Sequence, residues 1–195
     1  MHARLIALLP SKLAGVGLLL AGTIAYVAVQ LWRGRDAIAV PAAPWDGMVP
    51  AWPWLAWPYL AQLAIFGLPT WWIDERQRMA RHLAGWVAIV GVSLLVFILV
   101  PTAVVRPPAD GPAWQFIQGY DTTANAFPSL HAACAVYAVL QARLLRNWPA
   151  WATPVAWAWT ALVFVACLGL RQHTTWDLAA GAALAVAVHR WTLRP

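Results

Sequence analysis

Charged side chains are scarce in this sequence. Asp, Glu, Lys and Arg together make up 10% of its 195 residues, whereas soluble globular domains carry roughly 25%. Apolar residues account for 62%, and that proportion leaves too little polar surface to cover the core of a soluble protein. The composition therefore excludes an ordinary soluble domain and favours a protein dissolved in lipid, while the length suits a single domain over residues 1–195.

Cysteines and acidic residues are also few. The two cysteines, Cys134 and Cys167, lie inside apolar runs, and their spacing fits neither a zinc site nor a disulfide framework. Seven acidic residues stand against 13 basic ones, which gives a formal net charge of +6. Because the basic residues fall in short clusters between apolar runs, as membrane topology requires, we expect a membrane environment and no nucleic-acid partner.

Long apolar runs, in contrast, are abundant. A helix that crosses a bilayer needs about 20 mostly apolar residues. Six runs meet or nearly meet this length, and from them we predict an all-α, six-helix transmembrane bundle with spans at roughly 12–31, 52–73, 82–104, 128–146, 149–170 and 174–192. The first run is longer than the core of a typical signal peptide, so we expect it to be retained as a helix.

The distribution of Lys and Arg predicts how the bundle is oriented. With six spans, nine basic residues fall on the side of the two termini and four fall on the opposite side. Because cytoplasmic loops carry the excess of Lys and Arg, we predict cytoplasmic termini, in what we expect to be a bacterial inner membrane. The nine are Arg4, Lys12, Arg76, Arg78, Arg81, Arg143, Arg146, Arg190 and Arg194, and the four are Arg33, Arg35, Arg106 and Arg171.

Three polar segments interrupt the apolar pattern, and all three fall on the predicted outward side: Arg106-Pro107, residues 125–131 and residues 171–177. In the third segment, His173 and Asp177 are four residues apart, a spacing that places two side chains on one face of a helix. A carboxylate beside an imidazole fixes its tautomer and raises its basicity, so that the free ring nitrogen can attack an electrophile. The alternative is a helix-start histidine followed by an aspartate that the helix dipole favours.

The second segment combines a helix cap with another histidine. Ser129 is a good cap for the fourth predicted helix, which puts His131 in the first turn, where free backbone amides suit an anion such as phosphate. His131 could donate a proton to a leaving oxygen there, or it could simply hydrogen-bond to the loop. Arg106 and Arg171 are candidate phosphate clamps, and the alternative is that both side chains snorkel to the membrane interface.

The ordered set of these segments resembles the type 2 phosphatidic acid phosphatase superfamily. That family has a basic stretch ending Arg-Pro, then Pro-Ser-Gly-His, then Ser-Arg with a later His and an Asp. Its counterparts here are Arg106-Pro107, residues 128–131 (Pro-Ser-Leu-His), and His173 with Asp177. The resemblance covers about residues 100–181, and it implies a helical bundle whose active site faces one side of the membrane, the extracytoplasmic side in this orientation.

The resemblance also implies a role for each residue. It makes His173 the nucleophile that attacks phosphorus and forms a phosphohistidine, with Asp177 orienting its ring. It makes His131 the group that protonates the leaving alcohol and then activates the acceptor, while Arg106 and Ser129 hold phosphate oxygens. The implied chemistry needs no cofactor and no metal, and the sequence offers no obvious metal-binding cluster.

The sequence departs from each of the three parts of the family pattern. Leu99 stands where the family has a lysine seven residues before the Arg-Pro pair, Ala166-Cys167 replaces Ser-Arg, and Leu130 replaces a glycine. Arg171 is one helical turn beyond position 167, so we expect it to reach the same phosphate in place of the missing arginine.

Three functions remain open at this point. The first is hydrolysis of a lipid phosphate or polyprenyl diphosphate through a phosphohistidine. The second is transfer of a phospho-headgroup between lipids, because Pro-Ser-Leu-His and Gln172 before His173 are similar to the branch that includes inositol phosphorylceramide synthases. The third is a non-catalytic lipid-binding membrane protein, which the missing lysine and Ser-Arg pair favour.

Overall fold

The chain is seen in a computed structural model that describes residues 6–194, so Arg4 of the charge count lies outside the described residues. The prediction of an all-α membrane bundle is confirmed, because helices dominate the described chain and its strands are two residues long. The helices are α1 (Leu9–Arg33), α2 (Ala56–Ile65), α3 (Pro69–Trp72), α4 (Arg76–Leu99), α5 (Pro112–Tyr120), α6 (Leu130–Ala142), α7 (Ala152–Gly169) and α8 (Thr175–Thr192). The strands are β1 (Ile38–Ala39) and β2 (Thr102–Ala103).

Three helices of the described chain are long and apolar enough to cross a membrane: α1 with its continuation to Asp36, α4 and α7. The 25 residues of α1 extend about 37 Å at 1.5 Å per residue, compared with about 30 Å for the hydrocarbon core of a bilayer. Large apolar side chains remain exposed along these helices, including Leu20, Ile24 and Leu95. Such a surface is unfavourable in water and suits contact with lipid tails.

The other three predicted spans take different forms. The second run is divided into α2 and α3, because the chain turns at Gly67 and Pro69 begins a new helix, as proline does readily in a first turn. The 13 residues of α6 extend about 20 Å, while α8 has 18 residues. Membrane crossing by these three segments stays a prediction.

An extensive helix contact joins α6 to α8. Gly181 of α8 lies so close to the start of α6 that a Cβ at this position would be 2.2 Å from the Ser129 carbonyl oxygen. The Ser129 N–H also donates to the Asp177 carbonyl oxygen across 3.0 Å. The buried side chains of Ala132 and Ala133 are small enough to permit this approach. The packing therefore holds the first turns of α6 and α8 side by side.

The long connection before α6 is not a single helix, as its prolines predict. Its strand β2 pairs in parallel with β1, and α5 follows. The chain then returns, so that the Ala126 N–H donates to the Thr102 carbonyl oxygen and the Phe127 N–H to the Thr102 hydroxyl. Because of this return, Arg106 and the residues that precede α6 lie at the same end of the bundle as the start of α8.

Candidate active site

The two predicted catalytic histidines lie next to each other. His131 is in the first turn of α6, and His173 lies two residues before α8. Their ring centroids are 5.8 Å apart, and the ring planes meet at 56°. Reacting atoms stand about 3–3.5 Å apart before bond formation, and a proton donor works within about 2.6–3.2 Å. A centroid separation of 5.8 Å leaves the two rings close enough to act on a single phosphoryl group.

His173 has a buried carboxylate beside it, although for a different reason from the one predicted. The expectation of one shared helix face was wrong, because His173 precedes the N-cap residue of α8, Thr174. The two residues meet because Asp177 turns back in a capping box, where one of its oxygens, Oδ2, accepts from the Thr174 N–H at 2.8 Å. The same Oδ2 is 3.6 Å from His173 Nδ1. Asp177 therefore both caps the helix and faces the imidazole.

The cap predicted for α6 is confirmed. Ser129 is the N-cap residue, and its hydroxyl oxygen accepts from the Ala132 N–H at 3.2 Å. The side chain is completely buried. Since the oxygen serves as an acceptor, its proton can still be donated to a neighbouring anion. Phosphate binding by Ser129 stays a prediction.

Arg106 is anchored in the long connection and keeps one donor free. One terminal nitrogen of its guanidinium, Nη1, donates to the Asp121 carbonyl oxygen at 2.5 Å. Its Nε atom is buried without a hydrogen-bond partner in the described chain. An anchored guanidinium with a remaining donor can bind a phosphate oxygen, which is the role that the sequence predicts for it.

Arg171, the other candidate phosphate clamp, contacts a loop of the protein. It lies beyond the end of α7 with a φ of 55°, in the left-handed region, so it is not on the helical turn that the sequence predicts. Its guanidinium donates to carbonyl oxygens of the loop around residues 46–49: to Asp46, and to Val49 at 3.0 Å. These contacts favour a structural role that fixes this loop. Phosphate binding by Arg171 stays a prediction.

Three side chains behind His131 are not predicted by any sequence motif. The Tyr59 ring stacks on the His131 ring with centroids 4.2 Å apart, and its hydroxyl oxygen is 3.4 Å from His131 Nδ1. The Asp121 carboxylate accepts from the Tyr59 and Tyr26 hydroxyls, each at 2.8 Å. Tyrosines in apolar runs and one aspartate in a loop carry no motif, so no local signal indicated this grouping.

Several polar atoms of this region are buried and lack a partner in the described chain: His131 Nε2, His173 Nδ1, Asp177 Oδ1 and Arg106 Nε. An unpaired buried polar group costs about 1–3 kcal/mol, and a native protein usually has a functional reason for keeping one. Imidazole and guanidinium N–H groups are donors to anions, and the first turn of α6 adds backbone dipoles. The arrangement is suited to an anion held between the two histidines.

Within residues 6–194, no group of three or more His, Cys, Asp or Glu side chains could hold a metal ion. Both cysteines of the chain are buried and unpaired.

Fold and site together define a class of protein: a helical membrane protein with a paired-histidine site where two of its helices begin. The family model described as the PAP2 superfamily matches residues 40–191, and the chain belongs to that superfamily. This match confirms the family prediction. The matched range contains every predicted site residue, but their roles stay predictions, as does similarity to the inositol phosphorylceramide synthase branch. Comparison with curated proteins and with solved structures gave no match. Membership of this superfamily supports an enzyme of the phosphatase or phosphotransferase type.

Proposed function

We propose that the protein is a membrane phosphatase that hydrolyses a lipid phosphate or a polyprenyl diphosphate through a phosphohistidine on His173, without a metal. The observation that carries this proposal is the juxtaposition of the two histidine rings at 5.8 Å, with a buried carboxylate 3.6 Å from the Nδ1 atom of His173. One ring can attack phosphorus while the other serves the departing oxygen. The orientation predicted from charge places this reaction at the extracytoplasmic face.

In the first step, the Nε2 lone pair of His173 attacks phosphorus and forms a nitrogen–phosphorus bond. The bond between phosphorus and the leaving oxygen breaks, and its electron pair stays on that oxygen. The protonated Nε2 of His131 transfers its proton there, which releases an alcohol from a monoester or, after attack on the terminal phosphorus, a polyprenyl monophosphate from a diphosphate. Asp177 orients the His173 ring and stabilises its positive charge.

The transferring phosphoryl group carries negative charge that the site must stabilise. The free Nε donor of Arg106, the Ser129 hydroxyl proton and the backbone dipoles at the start of α6 are directed to this task. These groups lie on two segments, and the returning connection brings the two together. Their fixed positions reduce the reorganisation needed as the transition state forms.

In the second step, a water molecule attacks the phosphohistidine. His131, now neutral, accepts a proton from the water as the new oxygen–phosphorus bond forms. The nitrogen–phosphorus bond breaks, its electron pair returns to His173, and inorganic phosphate leaves. Both histidines are then back in their starting protonation states, because His131 has taken from water the proton that it gave to the leaving oxygen.

Headgroup transfer between lipids is a second candidate, and Gln172 favours it. Gln172 is completely buried directly before the nucleophile, its amide nitrogen donates to the Leu170 carbonyl oxygen at 3.2 Å, and its Oε1 has no partner in the described chain. That oxygen could accept a hydrogen bond from an acceptor alcohol. A lipid hydroxyl would then replace water in the second step, with the same residues in the same roles.

The test uses purified protein in detergent with phosphatidic acid and a polyprenyl diphosphate, each with and without diacylglycerol or ceramide. We expect wild type to release inorganic phosphate, and His173→Ala to lose activity by about 10⁴-fold or more. We expect His131→Ala to lose about 10²–10⁴-fold. A new phospholipid in place of free phosphate would identify a transferase.

The matched control is His189→Ala. His189 lies on α8 at the opposite end from His173, partly buried beside Gln141, so its variant should retain activity. Equal turnover in wild type, His173→Ala and His131→Ala would reject the enzyme and favour a non-catalytic lipid-binding protein.

A further inference from the structure

A chain of buried polar groups extends from His131 away from His173. Tyr59, on α2, is completely buried and stacks on the His131 ring. Its hydroxyl oxygen is 3.4 Å from His131 Nδ1 and 2.8 Å from Asp121 Oδ2. Asp121 follows α5 directly and is 3% exposed. Two segments of the chain, α2 and the end of α5, therefore meet behind the ring that the proposed function uses as acid and base.

The hydrogen bonds in this chain have a defined direction. A carboxylate is a much stronger acceptor than a neutral imidazole nitrogen in this setting, so the Tyr59 proton is donated to Asp121. The Tyr59 oxygen then faces His131 Nδ1 with its lone pairs and can only accept from it. The Nδ1 atom therefore carries a proton, and Nε2 is left as the nitrogen that exchanges protons. It is this Nε2 that is buried without a partner in the described chain.

The carboxylate at the far end of the chain is itself held in place. Tyr26 donates to its second oxygen at 2.8 Å, and the Asp121 backbone accepts from Arg106 and donates to the Ile117 carbonyl oxygen. The same residue therefore supports the predicted phosphate clamp through its backbone and the second histidine through its side chain. A displacement of Asp121 would disturb both groups together.

We infer that Tyr59 and Asp121 are positioning residues, which hold His131 in the tautomer and orientation that direct its Nε2 atom toward the leaving oxygen. This inference rests on the proposed function. It gives each histidine a carboxylate: Asp177 acts on His173 directly, and Asp121 acts on His131 through the Tyr59 hydroxyl. Both residues act through His131, which Tyr59 contacts and to which Asp121 is connected through the Tyr59 hydroxyl.

The experiment compares Tyr59→Phe and Asp121→Asn with wild type, using phosphate monoesters that differ in the basicity of their leaving group. A basic alcohol needs a proton as it leaves, whereas p-nitrophenolate does not. For the alkyl ester, we expect Tyr59→Phe to reduce turnover about 10–100-fold, the range for loss of an outer-shell partner. For the p-nitrophenyl ester, the initial burst of p-nitrophenol should remain within about threefold of wild type, since only the later water step needs His131.

Tyr137→Phe is the matched control. Tyr137 is a completely buried tyrosine on α6 whose hydroxyl donates to the His82 carbonyl oxygen, so its variant also removes a buried hydroxyl. It should lower activity toward both esters by the same small factor, if at all. Elution volume and unfolding temperature in detergent identify any variant that has lost its fold. Tyr59→Phe keeps the aromatic ring that stacks on His131, so it removes only the hydroxyl.

The outcomes separate the two claims. A selective loss with alkyl esters in Tyr59→Phe and Asp121→Asn supports the inference. Equal loss of activity with both esters, or wild-type behaviour in Tyr59→Phe, overturns the inference. The proposed function still stands in that case if His131→Asn loses activity selectively with the alkyl ester. Full activity in His173→Ala and His131→Asn would overturn the proposed function and this inference with it.

Discussion

The substitution Gly181→Ala examines how the α6–α8 contact sets the position of His131. A Cβ at position 181 would lie 2.2 Å from the Ser129 carbonyl oxygen and 3.1 Å from both the Ala132 Cβ and the Ala133 nitrogen. A relaxed carbon–oxygen contact is about 3.3 Å or longer, so the start of α6 must move away from α8 by about 1 Å. Because the nearest atom belongs to the backbone, no side-chain rotation can relieve the contact.

The expected size of the effect follows from that shift. His131 lies two residues after Ser129 on the same helix turn, so it moves with the backbone. A misplacement of about 1 Å costs on the order of 100-fold in rate. Overpacking costs about 1–3 kcal/mol, and alanine regains about 0.5–1 kcal/mol over glycine inside a helix. We therefore expect turnover about 100-fold lower with a modest loss of stability.

The assay measures kcat for phosphate release and the unfolding temperature in one detergent, for wild type, Gly181→Ala and Gly91→Ala. Gly91 lies on α4, and an added Cβ there has no atom within 4 Å. Gly91→Ala therefore reproduces the change in helix propensity without a clash and should keep wild-type activity. Wild-type turnover in Gly181→Ala at an unchanged unfolding temperature would refute the reasoning.

Three further substitutions test separate parts of the account. Asp177→Asn should lower kcat by about 10²–10⁴-fold, because an amide cannot stabilise the His173 cation. Arg171→Leu should lower the unfolding temperature, because two loop carbonyl oxygens lose their hydrogen-bond donor. Each buried oxygen left without a donor costs about 1–3 kcal/mol of stability. The KM for the lipid phosphate is measured in the same variant. Gln115→Cys, exposed on α5, should react with an impermeant maleimide added outside intact cells.

Each of these three substitutions has its own control or contrary outcome. Thr174→Ala removes the hydroxyl that caps α8 and should lower the free energy of unfolding by about 0.5–2 kcal/mol. Equal losses of kcat in Thr174→Ala and Asp177→Asn would show that Asp177 acts only as a helix cap. A raised KM at unchanged stability in Arg171→Leu would restore its phosphate-binding role. Labelling of Gln115→Cys only after permeabilisation would reverse the predicted orientation, and the native cysteines are buried and give little background.

Much of the fold could be predicted from the sequence because lipid imposes a simple rule on composition. Helix α4 follows from an uninterrupted apolar run, and α1 and α7 follow in the same way. The second run looked equally apolar, yet Gly67 and Pro69 divide it, and hydropathy summed over a window does not register such a break. The cap at Ser129 was predictable because it depends on residues three positions apart.

The site was predictable only where its residues act locally or belong to a motif. His131, His173 and Asp177 were found by pattern, although the contact of His173 with Asp177 arises from a capping box rather than from a helix face. Tyr59 and Asp121 are 62 residues apart in the chain, so no local spacing could connect them. The loop carbonyl oxygens that accept from Arg171 lie more than 120 residues away in the chain, and only the folded chain shows these contacts.

The most direct measurement follows the phosphoryl group itself. Purified wild type and the variants His173→Asn and His131→Asn are mixed with phosphorus-labelled substrate bearing a p-nitrophenyl leaving group, quenched with alkali, and mapped by mass spectrometry. We expect a label that is stable to alkali and lost in acid, carried by His173, enriched in His131→Asn and missing from His173→Asn. Label on another residue, or equal labelling in His173→Asn, would contradict the assignment of His173 as the nucleophile.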